Sequence, residues 1–172
     1  MVLLDRNEAR MVDTAALACD RMETLVIDPL RADLCRRLGE IWCDEPLDVL
    51  VHLQALRDPQ KIAPAITAIA GLTRDLARAL RAARGRVLTV FAAPSNLATV
   101  DHALYDRALG GVPDALQSRL GSHGVRANAL RLPGPTADAI SDSDLVELAL
   151  FLCSEAGGAV GGAVLPIWPR SH

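Results

Sequence analysis

Few side chains in this sequence are equipped for chemistry. Tyr105 is its only tyrosine and Lys61 its only lysine. A tyrosine hydroxyl can pass a proton to or from a substrate, but an unassisted phenol titrates near about 10 and is a poor base at neutral pH. The four histidines (His52, His102, His123, His172) show no metal-ligand spacing. The four cysteines (Cys19, Cys35, Cys43, Cys153) form no C-x-x-C pair and read as reduced thiols. Phosphate binding would call for a glycine-rich turn feeding a helix, because a Cβ there blocks the backbone's approach. The pairs Gly157-Gly158 and Gly161-Gly162 run into a strand instead, so they read as turns.

The elements that must position these groups alternate in type. Short apolar runs at 2–4, 24–27, 47–53, 86–91, 125–130 and 163–167 predict buried strands. Between them, 8–21, 31–42, 64–84, about 102–120 and 143–154 carry helical periodicity. The stripe Leu34, Leu38, Ile41 and Trp42 marks one apolar helix face, and Ile66, Ile69, Leu72, Leu76 and Leu80 mark another. Strands separated by long helices imply crossover connections and a mostly parallel sheet. The expected class is α/β, a three-layer, Rossmann-like, doubly wound sheet of about six strands with helices on both faces.

Composition narrows the function classes. The 172 residues suit one domain over 1–172, and 51% hydrophobic against 23% charged residues exclude a disordered tail. A net charge of −3 gives no electrostatic footprint for nucleic acid or an anionic membrane. No apolar run approaches the roughly 18 residues of a membrane span, and the first residues lack a secretory pattern. A cytoplasmic protein is the expectation.

From Asp48 onward the segments resemble the short-chain dehydrogenase/reductase family. Asp48-Val-Leu-Val-His52-Leu-Gln-Ala55 stands where that family has D-x-L-V-N-N-A-G, and Gly124-Val-Arg-Ala-Asn128-Ala-Leu-Arg-Leu-Pro133-Gly134 is similar to its G-I-R-V-N-x-x-x-P-G. His102-Ala-Leu-Tyr105 resembles the start of its Y-x-x-x-K helix, and the strand at 85–92 the one leading to its catalytic serine. Upstream, Val2-Leu-Leu-Asp5 resembles the family's second strand and Thr24-Leu-Val-Ile-Asp28 its third. The resemblance implies that Tyr105 is the counterpart of the catalytic tyrosine, that Asp5 could hold an adenosine ribose and that Asp28 could contact adenine. A helix N-cap is the simpler role for Asp5.

The departures from the pattern are chemical. Where the family has the lysine that activates the tyrosine stands Leu109, and where it has serine stands Ala92. Arg107 lies two residues short of the arginine used by the non-redox halohydrin dehalogenases, and Ser95 three residues past the serine position. No glycine cradle occurs near the N-terminus, and only residues 135–142 replace the family's substrate loop. Tyr105 is therefore read as vestigial and no cofactor is expected. The leading expectation is a non-catalytic, structural or regulatory subunit: a homodimer or homotetramer, or a hetero-oligomer with an intact reductase. Its interfaces would be the helices at 64–84 and 102–120 and the end at 163–168. The alternatives are an NAD- or NADP-dependent oxidoreductase whose cofactor site a partner chain completes, or a lyase using Tyr105.

The family's first strand sits between its second and fourth, and it has no counterpart here. Either residues 2–4 slide into that slot and 24–27 follow, giving one six-stranded sheet, or a partner supplies the strand. The first is the expected arrangement, because an unpaired inner edge invites aggregation.

Overall fold

Strands and helices fall close to the segments whose periodicity predicts them. The structure is a computed structural model describing residues 1–17, 21–57, 61–92, 100–133 and 141–168. Its elements are β1 (Val2–Asp5), α1 (Glu8–Ala16), β2 (Glu23–Val26), α2 (Ala32–Ile41), β3 (Val49–His52), the single turn α3 (Gln54–Arg57), α4 (Ile62–Asp75) and α5 (Ala77–Ala83). They continue as β4 (Arg86–Ala92), α6 (Val100–Gly110), α7 (Val112–Leu120), β5 (Arg126–Leu132), α8 (Asp142–Cys153) and β6 (Val164–Pro166). Among the described residues no helix is long and apolar enough to cross a membrane.

Local chemistry explains the boundaries. The Asn7 side chain accepts from the Arg10 N–H and opens α1, and Ser141 accepts from the Ser143 N–H at 3.3 Å and opens α8. The stretch read as one helix at 64–84 is two, because the backbone leaves helical geometry at Leu76. Gly111 similarly ends α6, and α7 restarts with a proline in its first turn.

All strand pairs are parallel, as the alternation implies, but the six strands form two sheets instead of one. One holds β1 and β2; the other has the order β3-β4-β5-β6. Residues 2–4 therefore do not occupy the slot beside β3. The register shows why: β1 pairs with β2 along its whole length, from Val2 opposite Glu23 to Asp5 opposite Val26. Its other edge meets no strand, because β3 pairs only with β4.

The two sheets are joined through helix packing. Cys35 and Leu38 of α2 share a core with Leu50 of β3, Leu72 of α4, Leu80 of α5 and Val87 of β4, while Leu4, Leu25 and Ile27 pack against its margin. Gly39 makes this possible: a Cβ there would run into the Asp75 carbonyl oxygen at the end of α4. On the same face of the larger sheet Ile69, Phe91, Tyr105, Leu109 and Ala129 close a second cluster. The opposite face carries Leu88, Val90, Leu130 and Leu132 under Leu152 of α8.

Candidate functional site

Tyr105 sits mid-helix in α6, where its ring fills the space between Ile69, Phe91 and Ala129. It is 1% exposed, and its hydroxyl donates to the Ala55 carbonyl at 2.8 Å. A buried phenol needs such a partner, and α3 supplies it by turning immediately after β3. Leu109, one turn further along, is fully buried in the same cluster. Arg107 is exposed, on a different face of α6. The structure thus seals Tyr105 under apolar side chains with its proton engaged by a carbonyl, and brings no cation or hydroxyl to it in the way the family's chemistry requires. Ser95 lies outside the described residues.

His52 is fully buried on β3, and its Nε2 lies 2.8 Å from Thr73 Oγ1 on α4. Burial holds its pKa down, at about 4 against an ordinary 6.5. The Gln54 amide approaches and opposes this shift without completing a hydrogen bond, so His52 Nδ1 and Gln54 Oε1 both remain buried without a partner. The expectation of a satisfied core histidine holds for one ring nitrogen.

Asp5 and Asp28 end β1 and follow β2 at the same edge of the small sheet. Asp5 accepts from the Asn7 N–H at 2.8 Å, and Asp28 from the Leu30 N–H at 3.0 Å. Both carboxylates shape the turns leaving their strands. The N-cap of α1 is Asn7 and not Asp5, because the chain makes one further turn before the helix begins.

Sequence reasoning missed what lies between these strand ends. A cavity of about 400 Å³ opens there, lined by Arg6 and Arg10 from β1 and α1, Leu30, Gln54 after β3, and Lys61 and Ala65 at the start of α4. Three cations line it and no carboxylate does. The available signal was Arg6 directly after a strand end and the lone lysine, but 55 positions separate them. The residues do not fit a dinucleotide. Among the described residues no glycine stands where the cavity meets a helix start. The nearest helix, α1, has its first amides capped by Asn7 and an acidic Glu8 in its first turn, which repels phosphate. Among the described residues no cluster of histidine, cysteine and carboxylate could hold a metal ion either.

No protein-family model matches the chain, and no curated protein matches it in sequence. Solved structures do match, across nearly all of it. A gluconate 5-dehydrogenase from Burkholderia cenocepacia J2315, crystallised with NADP and tartrate, is 18% identical with a TM-score of 0.75, over 96% of this chain and 82% of that one. A 3-ketoacyl-(acyl-carrier-protein) reductase from Brucella melitensis, complexed with NADH, is 19% identical with a TM-score of 0.76, over 96% and 85%. An oxidoreductase of the short chain dehydrogenase/reductase family from Burkholderia thailandensis is 23% identical with a TM-score of 0.70, over 96% and 80%. With its parallel βα order and these neighbours, the chain has the short-chain dehydrogenase/reductase fold.

Proposed function

We propose that this chain is a non-catalytic subunit that uses the reductase fold for assembly. The observation that carries the proposal is the state of Tyr105, sealed at 1% exposure with its hydroxyl donated to Ala55 and the apolar Leu109 one turn away. An acid/base tyrosine must meet both its substrate and a group that stabilises its charged form, and neither can reach this one. Apolar surface suited to association remains: Leu104 on α6 is 55% exposed, and Trp168 beyond β6 is 68% exposed. These lie on the helix and the end that pair subunits in the family resemblance.

The test is thermal unfolding of the purified chain with and without saturating NAD, NADH, NADP and NADPH, paired with sedimentation. Binding at about 100 times the dissociation constant adds ~2.7 kcal/mol, a rise of roughly 5–10 °C for a chain of this size. The expected result is no shift and an oligomer at micromolar concentration. A clear shift would put the cavity of Arg6, Arg10 and Lys61 to work on a nucleotide and make the oxidoreductase alternative lead. A monomer at that concentration would contradict the assembly role.

A further inference from the structure

The backbone between the two sheets specifies an occupant. In a parallel strand the N–H and C=O of one residue point to the same side, and successive residues alternate. Glu23 N donates to Met1 O and Ile27 N donates to Asp5 O, so Met1, Leu3 and Asp5 serve the β2 side. Val2 and Leu4 therefore present their backbone groups to the opposite edge. On β3, Arg86 N donates to Asp48 O, which assigns Leu50 and His52 to β4 and turns Val49 and Val51 the other way. No described strand meets either edge, and β1 and β3 do not approach one another as paired strands do.

Three further features surround that opening. Leu50 and His52 face α4 and are buried, whereas Val49 and Val51, on the face that α8 covers further along the sheet, are 37% and 45% exposed. Phe151 on the flank of α8 is exposed as well. The cationic, carboxylate-free cavity lies at the end of the opening, between the β1 and β3 termini. Into its lining is built Gln54, whose Oε1 is a buried acceptor without a donor.

We propose that a partner polypeptide inserts a parallel β-strand between β1 and β3, passes an acidic turn through the cavity and lays an amphipathic helix over Val49 and Val51. The strand bonds to Val2 and Leu4 on one side and to Val49 and Val51 on the other, and matches the four-residue length of both edges. Its direction follows from theirs, since all strands here run parallel. The turn leaving its C-terminal end meets Arg6, Arg10 and Lys61, which select carboxylates, and its backbone N–H groups reach Gln54 Oε1. A second copy of this chain is a poorer occupant, because every described strand is already paired. This proposal rests on the assembly role and names the surface and partner chemistry for it.

The probe is a fluorescent synthetic peptide of about 25 residues: a Val-Ile-Val-Leu strand, an Asp-Glu-Asp turn and a helix with leucines at i, i+3, i+4 and i+7. Titrated into the full chain, it should bind with anisotropy saturation and slow hydrogen exchange at Val2, Leu4, Val49 and Val51 by at least about tenfold. Val51→Lys should weaken binding by about tenfold or more while leaving thermal unfolding nearly unchanged, and replacing both Arg6 and Arg10 by alanine should weaken it by a smaller factor that disappears at high salt. No binding overturns the proposal. So does equal binding to the Val51→Lys variant, equal binding of a scrambled peptide, or binding that leaves the four amides unprotected. Protection of those amides in the chain alone, accompanied by dimer formation, would show a second copy in the slot and would also overturn it. Failure of the peptide beside a stable oligomer removes only the strand partner, whereas a dinucleotide shift removes the assembly role instead.

Discussion

The larger and smaller sheets are built from the same strand–helix units, yet β4 buries every residue from Val87 to Phe91 and no residue of β1 or β2 is fully buried. Composition does not separate them, since Val-Leu-Leu and Thr-Leu-Val are as apolar as much of β4. Neighbours do. β4 has a strand on each edge and helices on both faces, whereas β1 has one strand neighbour and α1 packed on its unit. A parallel strand is stable in proportion to what covers it, and half the covering of β1 is missing. The comparison locates the fold's strength around β4 and β5 and its capacity for association at the open edges.

That contrast can be broken by substitution. Phe91→Ala empties the centre of the larger half and should cost about 3–5 kcal/mol, against about 1 kcal/mol or less for Leu25→Ala in β2. Urea unfolding of both variants checks this, and equal losses would mean that the smaller sheet is as well formed as the larger.

Acid should act on the larger half through His52. Below pH 6.5 the unfolded chain takes up a proton that the buried ring refuses until about pH 4. The stability given by the neutral ring is thus complete above about 6.5 and is lost as pH falls through this window, on the order of 3 kcal/mol. His52→Leu should flatten that part of the profile measured by urea midpoints between pH 7 and 4. An unchanged slope would assign acid sensitivity to other groups.

Gly39→Ala probes the joint between the halves. A Cβ there would strike the Asp75 carbonyl and push α2 off α4, with an expected cost of about 1–3 kcal/mol. Two resolved transitions by far-UV circular dichroism are expected, with β1, β2 and α2 melting first, and a single cooperative transition would show that the halves do not depend on this contact. The smallest effect is expected from Tyr105→Phe, which leaves the Ala55 carbonyl without its donor and should cost about 1–2 kcal/mol. Any oxidoreductase or lyase activity abolished by that change would contradict the assignment of Tyr105 to packing.

Much of this was legible from the residues. The apolar runs are spaced by helical stretches long enough to cross a sheet, so class and order follow from periodicity alone. Leu109 and Ala92, next to Tyr105 in the motif, already removed the charge and hydroxyl that catalysis would use. The division into two sheets was not legible, because Val2-Leu-Leu carries no mark of which neighbour it will take. Whether β1 sits beside β3 depends on tertiary packing through α2, where Gly39 meets Asp75 across 36 positions. The cavity was hidden for the same reason, its cations arriving from β1, α1 and α4.

The most direct measurement is native-state hydrogen exchange of the unliganded chain, resolved to single backbone amides by NMR. Open edges predict that Val2, Leu4, Val49 and Val51 exchange at least about 100-fold faster than Leu88 and Leu130, whose strands are paired on both sides. Equal protection at the two sets would mean that the edges are closed, and the account of a sheet awaiting its missing strand would be wrong.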